Sequence, residues 1–373
     1  MIKKILGHLP ASTRFAMSER QKRLKALLGT CALWNYIVCK VDWSRISSAG
    51  FWFIGRKAHL DLAGVIFSQS QSDSNEPIPH SGSGRVIISE LPFPGSHCIP
   101  HYLSTIIPLD KPLEELFPAI DKDRYRLYRK QREHFMLKGI TDPNEIKRLQ
   151  NEMFEPYAKD RYGDAVAQLT DDDAKKMANA TGALHVLCRG DEEVGCHIGS
   201  AFEFKKKRYW SGVRSGYPPH IYADSKTFSS TNTMNVFMEI EWVKQQGYDF
   251  YDIGITLSNP DNGVLQWKRK HRGFLSLIEN YDYFYIKPPR GSEPEFFWET
   301  PLISVKRGQL ILHLGWPASQ DEDAVLSRYK QMGFDGLAKV NLYTQMQPSD
   351  VMLEKLLYLY RYANTKPTIN ICH

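Results

Sequence analysis

Alternation of apolar and polar positions is clearest over residues 248–255. In an extended chain Tyr251, Ile253 and Ile255 share a face that reads as pure core, and Tyr248, Phe250, Asp252 and Gly254 share the other. Upstream the period changes: Val236, Phe237, Ile240 and Val243 form one stripe of a helix over 232–246, with Ser229 to Thr231 as caps and Gly247 as its end. Before it, apolar runs at 183–188, 194–204 and 208–213 are separated by turns at 189–192 and 205–207, which predicts three strands in a meander. Helices are expected near 113–117, 123–132, 143–159 and 171–179, the last opened by Thr170 and three Asp residues that suit a helix N-terminus. After the 248–255 strand come a short basic helix over 263–271 and a hairpin-like run over 274–286. This order predicts an α+β fold with mixed, mostly antiparallel sheets flanked by helices.

The two ends are less regular. Residues 1–110 mix short apolar runs with loops, the strands at 86–90 and 103–109 being the clearest, and 68–85 reads as a surface loop. Its Gly82 and Gly84 lack the strand-to-helix context and the Lys-Ser/Thr of a phosphate loop. Beyond Pro288 we expect strands at 310–314 and 337–342 and helices at 321–332 and 350–362, which either complete the N-terminal sheet or form an added layer. The expected division is 1–115, 116–288 and 289–373.

With 373 residues, 42% hydrophobic and 24% charged, the chain has the composition of a globular protein of about two domains at roughly 150 residues each. A net charge of +6 permits an anionic partner without demanding one. The six cysteines show no CxxC pair, so reduced cytoplasmic thiols and no metal are expected. His97, Cys98 and His101 are close in sequence but lack a second ligand pair, and Cys98 with His97 or His101 is a weaker candidate for a nucleophile and its base. No apolar stretch is long enough to span a membrane, although a basic helix over 18–28 suits peripheral contact with an anionic surface.

Asp252 has two readings. It lies at a cleft where the strand leaves the core, or it hydrogen-bonds the turn-rich segment 258–263. The run 247–256, with the segment 263–274 after it, resembles the end of the second acyltransferase-like domain of the FemABX family, peptidoglycan-bridge aminoacyltransferases on the GNAT fold. The resemblance spans about 105–286; Trp267-Lys268 before Gly273 looks like the family's aromatic-Lys pair, and Leu109-Asp110 with Arg124 to Arg132 looks like its strand-to-helix junction.

That resemblance implies two GNAT-like domains and transfer of an acyl or aminoacyl group to an amine of a cell-wall, polysaccharide or small-molecule acceptor. It implies Lys268 as the stabiliser of the oxyanion, Asp252 or a substrate group as proton acceptor, and Trp267, Gly254, Tyr209, Arg214 and Tyr217 as substrate-binding residues. The implied co-substrate is aminoacyl-tRNA, with tRNA as carrier, or acyl-CoA. Two departures stand out. Residues 214–222 place prolines where an acetyl-CoA-dependent GNAT enzyme has an amide loop for pyrophosphate, and the coiled-coil arm of some family members is absent. The rival is a catalytically silent GNAT-like module that binds nucleic acid or an anionic glycan through the basic clusters at 205–208 and 268–272.

Overall fold

The computed structural model describes residues 36–41, 51–68, 86–162, 182–277, 282–288, 290–361 and 363–372. The expected helices over 18–28 and 171–179, and the loop from 69 to 85, lie outside the described residues. Two compact units form, one from residues 106–254 and one from the described parts of 19–105 and 255–373.

In the first unit the meander is Gly182–Arg189, Glu192–Phe204 and Lys207–Gly216, with Phe135–Ile140 antiparallel on its outer side. Lys205 and Lys206 both take positive φ, 51° and 62°, and close the hairpin in two residues, a handedness that matches the twist of the strands. Phe250–Leu257 runs parallel to Lys207–Gly216. Helix Ser225–Gln245 covers one face of the sheet. On the other, Ile146, Leu149, Met153 and Phe154 pack on Leu184, Val186, Cys196 and Ile198. This order and direction of strands, with helices on both faces, is GNAT-like.

Helix Ser225–Gln245 starts seven residues before the expected 232. Asp224 is the cap, accepting from Thr227 N–H at 2.7 Å. The Ser and Thr residues proposed as caps lie inside the helix, where Ser230 and Thr233 hydroxyls donate back to the carbonyls of Thr227 and Ser229. At the other end Gly247, at φ 74°, donates to Lys244 O while Tyr248 donates to Val243 O, a Schellman closure that fixes where the next strand begins.

The second unit holds two sheets. One runs Tyr36–Val41, Phe51–Arg56, Val86–Ser89, Tyr283–Lys287, His97–Pro100. The expected hairpin over 274–286 is therefore corrected: Tyr283–Lys287 pairs with Val86–Ser89 and His97–Pro100, because Phe284 and Ile286 have their core there, with Phe53, Phe67 and Ile88. The C-terminal residues make the other sheet, in the order Leu302–Lys306, Gln309–Trp316, Leu337–Thr344, Thr368–Cys372. The last three strands are parallel, with helices Glu322–Tyr329 and Asp350–Tyr358 in the crossovers. The tail is thus a sheet of its own.

Phe237 and Ile240 are buried, 1% and 0% exposed, where Ser225–Gln245 meets the sheet and the rings of Phe117 and Tyr128. Ile240→Ala should cost about 2–5 kcal/mol by leaving a cavity. Thermal or urea unfolding checks this, and an unchanged midpoint contradicts the packing.

Candidate active site

The ladder between Lys207–Gly216 and Phe250–Leu257 holds three pairs, Phe250↔Tyr209, Tyr251↔Trp210 and Asp252↔Ser211, and then stops. A bulge explains the stop. Against Glu192–Phe204 the register moves from Gly199↔Gly212 to Ile198↔Arg214, leaving Val213 as the extra residue, 40% exposed. Bulges bend and twist a strand, so this one turns away from its parallel neighbour. Among the described residues no strand takes up the pairing at Gly212 and Val213.

On the neighbouring strand Asp252 is fully buried and accepts from Gly254 N–H at 2.8 Å. Gly254 has φ 88°, which brings its amide back to the carboxylate. Asp252 therefore holds a kink within the strand and does not line a cleft. The kink also breaks the expected alternation: Tyr251 is buried, while Ile255, assigned to the same core face, is 46% exposed.

Lys268 and Trp267 belong to the second unit, on helix Gly263–Lys270, whose first turn is capped by Asn262 accepting from Val264 and Leu265 N–H. Lys268 is 3% exposed and its ammonium donates to Ile255 O at 3.0 Å, whereas Lys270 is exposed. Trp267 is half-buried with its ring 4.2 Å from that of His271. In the first unit Tyr209 is buried in a stack between Phe202 and Phe250, at 4.9 and 4.7 Å, and Arg214 is half-buried just past the bulge.

Tyr217 belongs to a buried polar network that was not anticipated. His185 and His197 face each other across two strands, their Nδ1 and Nε2 3.1 Å apart. His197 Nδ1 lies 3.2 Å from Asn235 Oδ1, Asn235 Nδ2 donates to Tyr217 at 3.1 Å, and Tyr217 donates to Asn232 Oδ1 at 2.7 Å. An amide oxygen only accepts. His197 Nδ1 therefore carries a proton, its Nε2 accepts, and His185 Nδ1 donates. Both imidazoles are neutral in this chain, and burial lowers each to about 4, the neighbouring His197 adding to the effect at His185.

Glu239 lies beside them, 3% exposed, with Trp210 Nε1 donating at 3.1 Å and Tyr251 hydroxyl at 2.5 Å. Burial raises its carboxyl to about 7 despite the opposing bonds from Tyr251 and Trp210. Below that pH the 3.3 Å approach of His197 to Glu239 joins neutral groups and is no ion pair. Glycines make room: a Cβ on Gly212 would come within 2.8 Å of the Tyr251 hydroxyl, and one on Gly199 within 2.6 Å of the Trp210 ring.

The stretch where a phosphate-binding loop was missing has other duties. Gly216 lets the backbone of Met153 and Phe154 approach, since a Cβ there would stand 2.9 Å from it. Pro218 and Pro219 offer no amide, and the N-terminus of helix Ser225–Gln245 holds the carboxylate of Asp224, kept below its usual range by bonds from Thr227. Elsewhere, burial pushes the Cys98 thiol up to about 11 against a bond from Tyr285, which does not suit a nucleophile. The ring of His97 rests on His313, at 4.3 Å, and that of His101 on Phe284, at 3.9 Å. Among the described residues no group of three or more His, Cys, Asp or Glu fits a metal ion.

No protein-family model matches the sequence, and no curated protein matches it. Solved structures with some similarity include FemX, at 12% identity over 70% of this chain and 90% of that one, TM-score 0.39. L-PGS from Bacillus licheniformis is similar at 13% identity over 70% and 83% of the chains, TM-score 0.34. An aminoglycoside acetyltransferase from an uncultured soil metagenomic sample is similar at 12% over 38% and 88%, TM-score 0.25.

The buried network sets a pH dependence of stability. A carboxyl raised from 4.5 to about 7 contributes stability that is fully present below 4.5 and lost as pH rises through 7. Histidines lowered from 6.5 to about 4 contribute stability present above 6.5 and lost as pH falls through 4. Near pH 5.5 the two histidines outweigh the one carboxyl, so these groups together take up about one proton on unfolding. Glu239→Gln removes the opposing group and should raise that uptake to about two, a steeper acid loss visible in denaturant midpoints between pH 5 and 6.5.

Proposed function

We propose that the protein is an N-acyltransferase or aminoacyltransferase that moves an activated acyl or aminoacyl group onto an amine of a cell-wall, polysaccharide or small-molecule acceptor. The parting of two parallel strands after Asp252↔Ser211 carries this reading. At Gly212 and Val213 it leaves a strand edge whose backbone N–H and C=O groups can bond an extended aminoacyl or acyl group, as a sheet edge bonds a peptide. Lys268, whose ammonium Ile255 O holds in a buried place, is the proposed stabiliser of the oxyanion, where low polarity strengthens its pull on developing charge. Asp252 holds the kink at Gly254, and a substrate group or another side chain takes the amine proton. Trp267 and Arg214, both half-buried, are the proposed substrate contacts.

Aminoacyl-tRNA is the preferred donor over acyl-CoA. Prolines at 218 and 219 and the carboxylate at the helix N-terminus favour a carrier that needs no pyrophosphate grip there. Among the described residues no helix is long and apolar enough to cross a membrane. The basic clusters give little to a silent binding module: Lys207 pairs with Asp249, Arg208 stacks on Tyr248, and Lys268 and His271 are buried.

The test is a transfer assay with aminoacyl-tRNA and acyl-CoA pools against amine acceptors. Lys268→Ala should lower kcat by on the order of 10² or more with a smaller change in KM, while the exposed Lys270→Ala changes little. Equal, small effects at both positions would place the oxyanion elsewhere. Calorimetry should find acetyl-CoA binding weak, and a low-micromolar constant would reverse the donor preference.

A further inference from the structure

Acyl transfer to an amine releases a proton, and the second unit holds a side-chain cluster suited to take it. Strands Phe51–Arg56 and Val86–Ser89 run parallel, Tyr283–Lys287 antiparallel to the latter, and His97–Pro100 antiparallel to that in turn. One end of this sheet therefore collects Arg56, Glu90, His101 and Asp282. Glu90 is 3% exposed, and the space is cut for it by Gly55, where a Cβ would meet its side chain at 3.1 Å. Its Oε1 accepts from Arg56 N–H at 3.1 Å, and its Oε2 from the Arg56 guanidinium and from Tyr36 at 3.3 Å. Burial alone would raise Glu90, but bonds from His59 and Arg56 outweigh it and hold the carboxyl below its usual range.

His59 Nδ1 stands 2.9 Å from Glu90 Oε1, a close contact bent away from a straight hydrogen bond, and its side chain is 22% exposed. His101 packs edge-on beneath it, 5.2 Å between ring centres, and is 1% exposed. The Tyr283 backbone bonds its ring, its Nε2 has no hydrogen-bond partner, and burial lowers it to about 3, which keeps it a neutral acceptor. The same unit ties this cluster to the helix that carries Lys268. Ser258 N–H donates to His101 O and Asn259 to Ile66 O, so the segment leading into helix Gly263–Lys270 is pinned to the His101 backbone and to the helix that follows His59.

We infer that Glu90 and His59 are the proton-accepting pair of the transfer, and that they bind a primary amine whose second N–H is accepted by His101 Nε2. This rests on the transfer reading above. The amine lone pair attacks the acyl carbon, the C–N bond forms, and the bond to the carrier oxygen or sulfur breaks. The amine proton passes to His59 and from there to the departing hydroxyl or thiol. The charged and titratable groups around His59 are Arg56 and Glu90 at the strand ends, Asp282 through Arg56, Tyr36 through Glu90, His101 beneath, and Lys57 on its own turn.

Two measurements test this. In the transfer assay His59→Gln should lower kcat about 10²-fold with KM within a few-fold and an unchanged melting temperature. Added imidazole should partly restore His59→Gly, and the exposed Lys57→Ala should behave as wild type. A folded His59→Gln with wild-type kcat overturns the inference and leaves the transfer reading standing. Independently of turnover, ethanolamine added without donor should shift the imidazole ¹H–¹⁵N signals of His59 and His101, and the His101 shift should weaken in Glu90→Gln. No shift in the wild type overturns the amine site. Shifts without transfer from any donor support the site and remove the transfer reading.

Discussion

A carboxyl group with almost no access to water constrains the first unit more than any other group. Glu239 sits on the sheet-facing side of helix Ser225–Gln245, and burying it uncompensated would destabilise the fold by more than a typical hydrogen bond returns. Trp210 and Tyr251 supply the donors, one from each of the two parallel strands, so both strands are held at a fixed distance from the helix at the point where their pairing ends. Gly199 and Gly212 follow from the same demand, since the two aromatic side chains must pass over backbone that carries no Cβ. The bulge at Val213 comes one residue after Gly212, and the strand departs where this clamp stops.

Beside the carboxyl, the chain from His185 to Asn232 has a single sense of donation. Each member gives its proton to the next, and no member needs a charge. Buried polar chains of this kind stabilise only when complete. Loss of one link leaves a neighbour unsatisfied, which ties the middle of the meander to the middle of the helix in both register and rotation.

Elements defined by their own periodicity were legible in the sequence: the meander, the helix ending at Gly247 and the short helix before His271 all form. What escaped was set by partners far along the chain. Tyr283–Lys287 looked like half of a hairpin because nothing nearby shows that Val86–Ser89 and His97–Pro100 wait for it. The start of helix Ser225–Gln245 was misplaced because the run of Ser and Thr looks like caps, while their hydroxyls in fact turn back onto carbonyls. Of the site, the bond of Asp252 to Gly254 lies within its own strand and not in the segment 258–263, which neither reading of Asp252 anticipated. That Lys268 points inward and Lys270 outward was legible only as a difference of direction on a helix. The signals for the buried network were present but weak: one acid inside the stripe of Phe237 and Ile240, and a lone histidine in each of two apolar strands. Glu90 and His59 offered less, being far apart in sequence, and the purpose of Gly55 appears only once the strands are side by side.

The first unit interrupts the second in sequence: Val86–Ser89 must wait for Tyr283–Lys287, which the ribosome delivers almost two hundred residues later. An unstructured insert of that length would make the pairing slow, because closing the loop costs chain entropy before any contact is gained. Yet Leu109 N–H donates to Asp249 O at 2.9 Å, so the two ends of the folded insert lie one hydrogen bond apart. Once residues 106–254 have folded, Val86–Ser89 and Tyr283–Lys287 are joined by an effectively short chain. The insert thus acts as an internal template for assembly of the unit that surrounds it in sequence.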